Sequence, residues 1–81
     1  MVTNMIALHS VLITQKVSAM PSGREAGVKE IFGTDWDIIG SSGEKKEFGK
    51  QFKAAVDIGT LTDLKWLRIE NTGRYDVYQK I

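Results

Sequence analysis

Three lysines in one predicted helix are the side chains whose type and spacing could do chemistry in this sequence. Lys46, Lys50 and Lys53 follow one another at intervals of four and three residues, so at about 100° per residue they project from one helix face. Each ammonium group that contacts a phosphate releases counterion and strengthens binding at low salt. The spacing therefore indicates a nucleic-acid contact, with a solvated helix face as the alternative.

The residues around these lysines predict a helix over 41–58. Ser42 is expected to cap it, Glu44 suits the positive end of its dipole, and Gly59 can take the left-handed conformation that ends it. An apolar stripe on the opposite face comprises Phe48, Phe52, Ala55 and Val56. Gly49 costs about 1 kcal/mol relative to alanine inside a helix, and we expect it to permit close packing against the helix that carries Trp36.

A β-hairpin is predicted after this helix, with strands over 64–69 and 75–81. Gly73 is free to take positive φ in the turn, and Arg74 lies where a hairpin wing would reach a groove of DNA. Three aromatic residues lie on the hairpin, namely Trp66, Tyr75 and Tyr78. Exposed rings there could stack on unpaired bases; the alternative, which we expect for at least two of them, is that they cover the core.

The first twenty residues predict an apolar helix. Thr3 or Asn4 can cap it, it continues to about Ala19, and Leu8 and Leu12 belong to its apolar sector. A strand over 11–14 is the alternative, because β-branched residues are frequent there. The helix is expected to pack on the core of the following domain or on a second copy of the chain.

Short elements are predicted between the two long helices. The turn at 21–23 is followed by a short edge strand over 24–26 and a helix over 27–32, which Gly33 ends. Thr34 and Asp37 have the spacing of a capping box and predict a second short helix that carries Trp36 as a core anchor.

This order predicts an α+β fold: an N-terminal helix over 1–20, then a winged helix-turn-helix-like domain over 21–81 with a three-helix core and a C-terminal β-hairpin. A third strand paired with the hairpin would instead favour a small α+β sheet over a simple winged helix.

Composition excludes several classes of site. The chain has 81 residues, a net charge of +1 and no cysteine, so disulfides and thiolate metal sites are excluded. His9 is the only histidine, and its neighbours in sequence offer neither a metal site nor a catalytic dyad. We expect a cytoplasmic protein that is not an enzyme, with no metal, no cofactor and no membrane segment.

The region from Pro21 onward resembles a bacterial family of small proteins, domain of unknown function 1413. The resemblance covers about three-quarters of the chain and rests on Gly23, Lys29, Glu30, Ile31, Phe32, Trp36, Phe48, Gly49, Lys50, Gln51, Phe52, Val56 and Tyr78. Ala26 and Gly27 depart from the aromatic residue and threonine typical of the family, and Phe48 replaces a leucine. The resemblance implies a fold more than a function, although some members of the family are labelled as binding single-stranded DNA.

Two functional hypotheses follow. In the first, a small bacterial or phage-type protein binds nucleic acid through Lys46, Lys50, Lys53 and Arg74. In the second, the protein is an interaction module whose N-terminal helix and hairpin edge bind a protein partner or a second copy.

Overall fold

The computed structural model describes residues 4–81 and folds them into four α-helices, one 3₁₀ helix and a three-stranded antiparallel sheet. In chain order the elements are α1 (Met5–Leu8), α2 (Ser10–Ser18), β1 (Glu25–Gly27), α3 (Val28–Phe32), the 3₁₀ helix (Gly33–Ile39), α4 (Ser42–Asp57), β2 (Leu64–Glu70) and β3 (Tyr75–Lys80). The predicted α+β class is confirmed.

The N-terminal segment is helical, as predicted, but it forms two helices. Asn4 caps α1, since its Oδ1 accepts a hydrogen bond from the amide of Ala7 at 3.1 Å; Thr3 lies outside the described residues. The break falls at His9, whose ring lies edge-on to Phe48 at 5.8 Å. The alternative of a strand over 11–14 is wrong.

The apolar side chains of α1 and α2 divide between core and surface. The buried ones belong to the same hydrophobic core as the rest of the domain and are Met5, Ile13 and Val17. Leu12 is partly buried against that core, whereas Leu8 is 66% exposed. The expectation that Leu8 belongs to a buried apolar sector is therefore wrong.

The sheet has the order β1-β3-β2, so β3 is its central strand. Ala26 of β1 and Trp66 of β2 are both paired with Tyr78, and an irregularity in register separates Trp66 from Arg68. The predicted edge strand and hairpin are confirmed. Because β1 is a third strand paired with the hairpin, the structure favours a small α+β sheet over a simple winged helix.

Four aromatic side chains form the centre of the core. Phe32, Phe48, Phe52 and Tyr78 are almost completely buried. The rings of Phe32 and Phe48 are 5.3 Å apart and those of Phe52 and Tyr78 are 5.1 Å apart, both edge-to-face. Such pairs contribute about 0.5–1.5 kcal/mol beyond their buried area. They fix α4 against α3 on one side and against the sheet on the other.

Two predicted caps are wrong. Ser41, not Ser42, caps α4: its Oγ accepts from the amide of Glu44, and its own amide donates to Glu44 Oε1 at 3.0 Å. The 3₁₀ helix begins directly after α3, so Thr34 caps nothing, and the Asp37 carboxylate instead accepts from Lys45 Nζ at 2.6 Å. The chain turns at Gly33 and Gly59 with φ of 57° and 85°, as predicted.

Candidate nucleic-acid interface

Helix α4 presents a basic face beside the hairpin. Its Ser41–Glu44 capping box fixes where the helix begins, and burial of Phe48 and Phe52 fixes its rotation about its own axis. That rotation leaves Lys46 and Lys50 exposed and Lys53 half-buried.

A groove of about 400 Å³ runs between α4 and the hairpin, and we call it the basic groove. Five cationic side chains line it, namely Lys45, Lys46, Lys50, Lys53 and Arg74. The lining also includes Trp36, Gly49, Tyr75, Asp76, Val28 and Tyr78. All four cations that the sequence indicated therefore line one groove, although Arg74 is more than twenty residues from Lys53, the nearest of the three lysines in sequence.

Two of these cations already have partners. Lys53 Nζ lies 3.2 Å from Asp57 Oδ2 and 5.2 Å from the centre of the Trp66 ring. Lys45 Nζ lies 2.6 Å from Asp37 Oδ1 and 5.9 Å from the Trp36 ring. The hydrogen bond and charge of Lys45 lower the pKa of the Asp37 carboxyl.

The other three cations form no ion pair with any residue in 4–81: Lys46, Lys50 and Arg74. No carboxylate of the described residues contacts them, so an incoming phosphate need not displace one. Arg74 lies in the hairpin turn with φ of 50°, a conformation uncommon for residues other than glycine. The prediction that Gly73 would be the residue with positive φ is wrong.

Two hairpin aromatics remain accessible: Tyr75, which lines the groove, and Trp66, which contacts the lining residues Asp76 and Lys53. Trp66 is 38% exposed and Tyr75 is 42% exposed, whereas Tyr78 is buried. The expectation that at least two of the three would cover the core is therefore wrong. The Tyr75 ring lies against two glycines: a Cβ added at Gly27 or at Gly73 would come within 2.7 Å of it. The absence of side chains at both positions lets the ring lie flat there.

The sequence predicted close packing at Gly49 and a core anchor at Trp36, and the two predictions differ in outcome. A Cβ added at Gly49 would meet nothing within 4 Å, so the prediction of close packing there is wrong, and the residue lines the basic groove. Trp36 packs edge-on to Phe32 and Phe48 but is only partly buried.

Asp76 is a groove residue that the sequence interpretation missed. Its Oδ1 accepts a hydrogen bond from Trp66 Nε1 at 2.8 Å. The hairpin register indicates that Asp76 lies near Trp66. Trp66 is paired with Tyr78, and Asp76 lies two residues before Tyr78, on the same face of the strand.

Residues 4–81 lack two other kinds of feature, a metal site and a membrane-spanning helix. That range contains no group of three or more histidine, aspartate or glutamate side chains placed to hold a metal ion. None of its helices has the length and apolar character needed to cross a membrane.

Comparison of the chain with family models, with curated proteins and with solved structures finds no match. The resemblance to domain of unknown function 1413 stays an interpretation of the sequence.

Proposed function

We propose that this protein binds nucleic acid through the basic groove and is not an enzyme. The observation that carries the proposal is the convergence of Lys46, Lys50 and Arg74 on one groove, each without an ion-pair partner among the described residues. A net charge of +1 provides no strong global field. Binding must therefore come from this local concentration of positive charge.

The chemistry is contact with phosphate. Lysine ammonium groups act as point charges and carry no sequence information, whereas the planar guanidinium of Arg74 can bind a phosphate through two hydrogen bonds. Each neutralised phosphate releases counterion, with a slope of log K against log salt of about −0.9 per contact on duplex DNA and about −0.7 on a single strand. Binding is accordingly tight only at low salt.

The accessible aromatics favour an unpaired strand over a duplex. Tyr75 lines the groove, and Trp66 lies next to it, in contact with the lining residues Asp76 and Lys53. Part of each ring is exposed, and stacking of a base on an aromatic ring is worth about 1–3 kcal/mol. A base inside a duplex is already stacked and cannot use these rings. A recognition helix must enter a major groove about 12 Å wide. The hairpin stands beside the basic face of α4, and this position disfavours such entry.

The same proposal includes a winged-helix-like arrangement in which β1 adds a third strand to the hairpin. From β1 onward the predicted order of a strand, two short helices, a long basic helix and a hairpin is retained, and the basic helix lies next to the hairpin whose turn carries Arg74. In this form the hairpin supplies Arg74 and the accessible ring of Tyr75 to the groove formed with α4.

A titration of the ¹⁵N-labelled protein with short single-stranded oligonucleotides tests where nucleic acid binds. We expect the largest amide shifts in residues 45–53 and 74–76, together with the indole signal of Trp66. Shifts confined to α1 and α2, or no shifts at tens of micromolar protein in about 50 mM salt, where electrostatic binding is strong, would contradict the proposal.

The second candidate function is protein interaction through the opposite side of the molecule. An apolar groove of about 540 Å³ lies between the N-terminal helices and the end of α4, lined in part by Ile6, Ile13, Ala54, Ile58 and Leu61. Ile58 is 79% exposed. If this groove is a self-association surface, Ile58→Glu should lower the solution mass measured by light scattering, and a wild type that is monomeric at high concentration would contradict it.

A further inference from the structure

Asp76 is the one carboxylate among the described residues that line the basic groove. It is half-buried on β3, opposite Ile69 of β2. No lysine or arginine nitrogen of residues 4–81 lies within 4 Å of it. It therefore does not neutralise a groove cation by direct contact, unlike Asp57 beside Lys53 and Asp37 beside Lys45.

One oxygen of Asp76 is free to accept a hydrogen bond. Oδ1 is engaged by the indole N–H of Trp66 at 2.8 Å, whereas the second oxygen has no partner among the described residues. No buried side-chain oxygen or nitrogen in 4–81 lacks a partner, so this second oxygen is accessible to solvent. A carboxylate oxygen accepts hydrogen bonds and cannot donate them.

A carboxylate in a phosphate-binding groove repels the phosphates of the ligand, so its favourable contacts are with hydrogen-bond donors, which within a DNA strand are groups on the bases. Exocyclic amino groups are the matching donors: a carboxylate accepts from N4 of cytosine. Uracil and thymine carry a carbonyl oxygen at the equivalent position, which a carboxylate repels. The indole of Trp66, held by the same carboxylate, places an aromatic surface next to this acceptor.

We propose that Asp76 is a specificity-determining residue that accepts a hydrogen bond from the exocyclic amino group of an unpaired base, and so favours cytosine over uracil in the basic groove. This inference rests on the proposed function, since it requires nucleic acid to enter the groove. It adds a base preference that the lysines, as point charges, cannot provide.

The test compares two labelled single strands of about twelve nucleotides, oligo(dC) and oligo(dU), by fluorescence anisotropy at neutral pH and about 50 mM salt. Cytosine and uracil differ in the substituent at position 4 and in whether N3 carries a hydrogen. We expect wild type to bind oligo(dC) at least about fivefold more tightly, the low end of discrimination by a good base contact.

Asp76→Asn is the informative variant. Its amide oxygen can still accept from Trp66 Nε1, while an NH₂ donor replaces the free carboxylate oxygen. We expect the cytosine preference to disappear or to reverse in favour of uracil. Unchanged circular dichroism and tryptophan emission would show that the fold and the Trp66 environment are retained.

Glu70→Gln is the matched control, since it removes one negative charge from the hairpin at a residue that does not line the groove. It should leave the preference unchanged. Equal binding of both strands by wild type, or a preference that persists in Asp76→Asn, overturns the inference while leaving the proposed function intact. Failure of wild type to bind either strand overturns both.

Discussion

Lys53 Nζ lies 5.2 Å from the centre of the Trp66 ring and thereby joins the long helix to the first strand of the hairpin. The same ammonium group is 3.2 Å from Asp57. Lys53 therefore contributes a contact between α4 and β2, in addition to supplying charge to the groove. Lys46 and Lys50 have no such contacts among the described residues, so the three lysines differ in their contribution to stability.

The stability of lysine variants should reflect this difference. Lys46→Gln and Lys50→Gln should change the free energy of unfolding by less than about 0.5 kcal/mol, as is usual for exposed positions. Lys53→Gln should cost about 0.5–1 kcal/mol, the value of an exposed cation–π contact. Urea denaturation of the three single variants measures this directly. Equal stability of all three would show that the Lys53–Trp66 contact contributes nothing.

The local elements of this fold were predictable because their signals are local. Periodicity located α4, and the apolar alternation with a turn located the hairpin. The sequence could not show that β1 pairs with β3, because strand pairing depends on residues far apart in the chain. The same limitation explains Gly49: the cost of a helical glycine is visible in sequence, but whether another element packs against it is not.

The sequence predicted which cations belong to the candidate site, but it did not predict how the fold brings them together. The helical spacing placed three lysines on one face, but only the packing of Phe52 on Tyr78 brings that face beside Arg74. Trp66 and Tyr75 were expected mostly in the core because a two-stranded hairpin has one covered face. Only Tyr78 is buried, whereas Tyr75 and Trp66, although Trp66 is paired with Tyr78, remain partly exposed.

Gly49→Ala should stabilise the protein. The new methyl group would meet nothing within 4 Å, so the helix propensity of alanine is gained without a clash, at about 0.8–1.0 kcal/mol. Thermal denaturation provides the measurement. Gly27→Ala is the contrasting variant, because its Cβ would lie 2.7 Å from Tyr75 Cδ2; it should destabilise the protein. Destabilisation by Gly49→Ala would show that the position is packed after all.

Alanine substitutions in the N-terminal helices should separate core from surface. Ile13 is 2% exposed, and Ile13→Ala should cost about 2–5 kcal/mol. Leu8→Ala should cost less than about 0.5 kcal/mol, because exposed positions contribute little. Chemical denaturation followed by tryptophan fluorescence distinguishes the two. A large loss from Leu8→Ala would mean that this side chain is covered in solution, as by a second copy.

Acid should weaken the start of α4. Hydrogen bonding to the amide and hydroxyl of Ser41 lowers the pKa of Glu44 below its usual value of 4.5. A depressed folded pKa gives stabilisation that is present above the unfolded value and is lost as pH falls through the folded one. Glu44→Gln should therefore be less stable than wild type near neutral pH, and the difference in melting temperature should shrink as pH falls below the usual glutamate pKa and through the lowered folded pKa. A difference independent of pH would contradict this account.

The most direct test of nucleic-acid binding is fluorescence anisotropy with single-stranded and duplex oligonucleotides at about 50 mM salt. Wild type should bind the single strand more tightly than the duplex. Lys46→Gln/Lys50→Gln should weaken binding and make the salt slope shallower by about 0.7 per lost contact on the single strand. The control Lys29→Gln/Lys65→Gln changes the net charge equally at residues outside the groove and should bind like wild type. Equal weakening by both double variants, or no binding by wild type at tens of micromolar protein, would contradict binding through the basic groove.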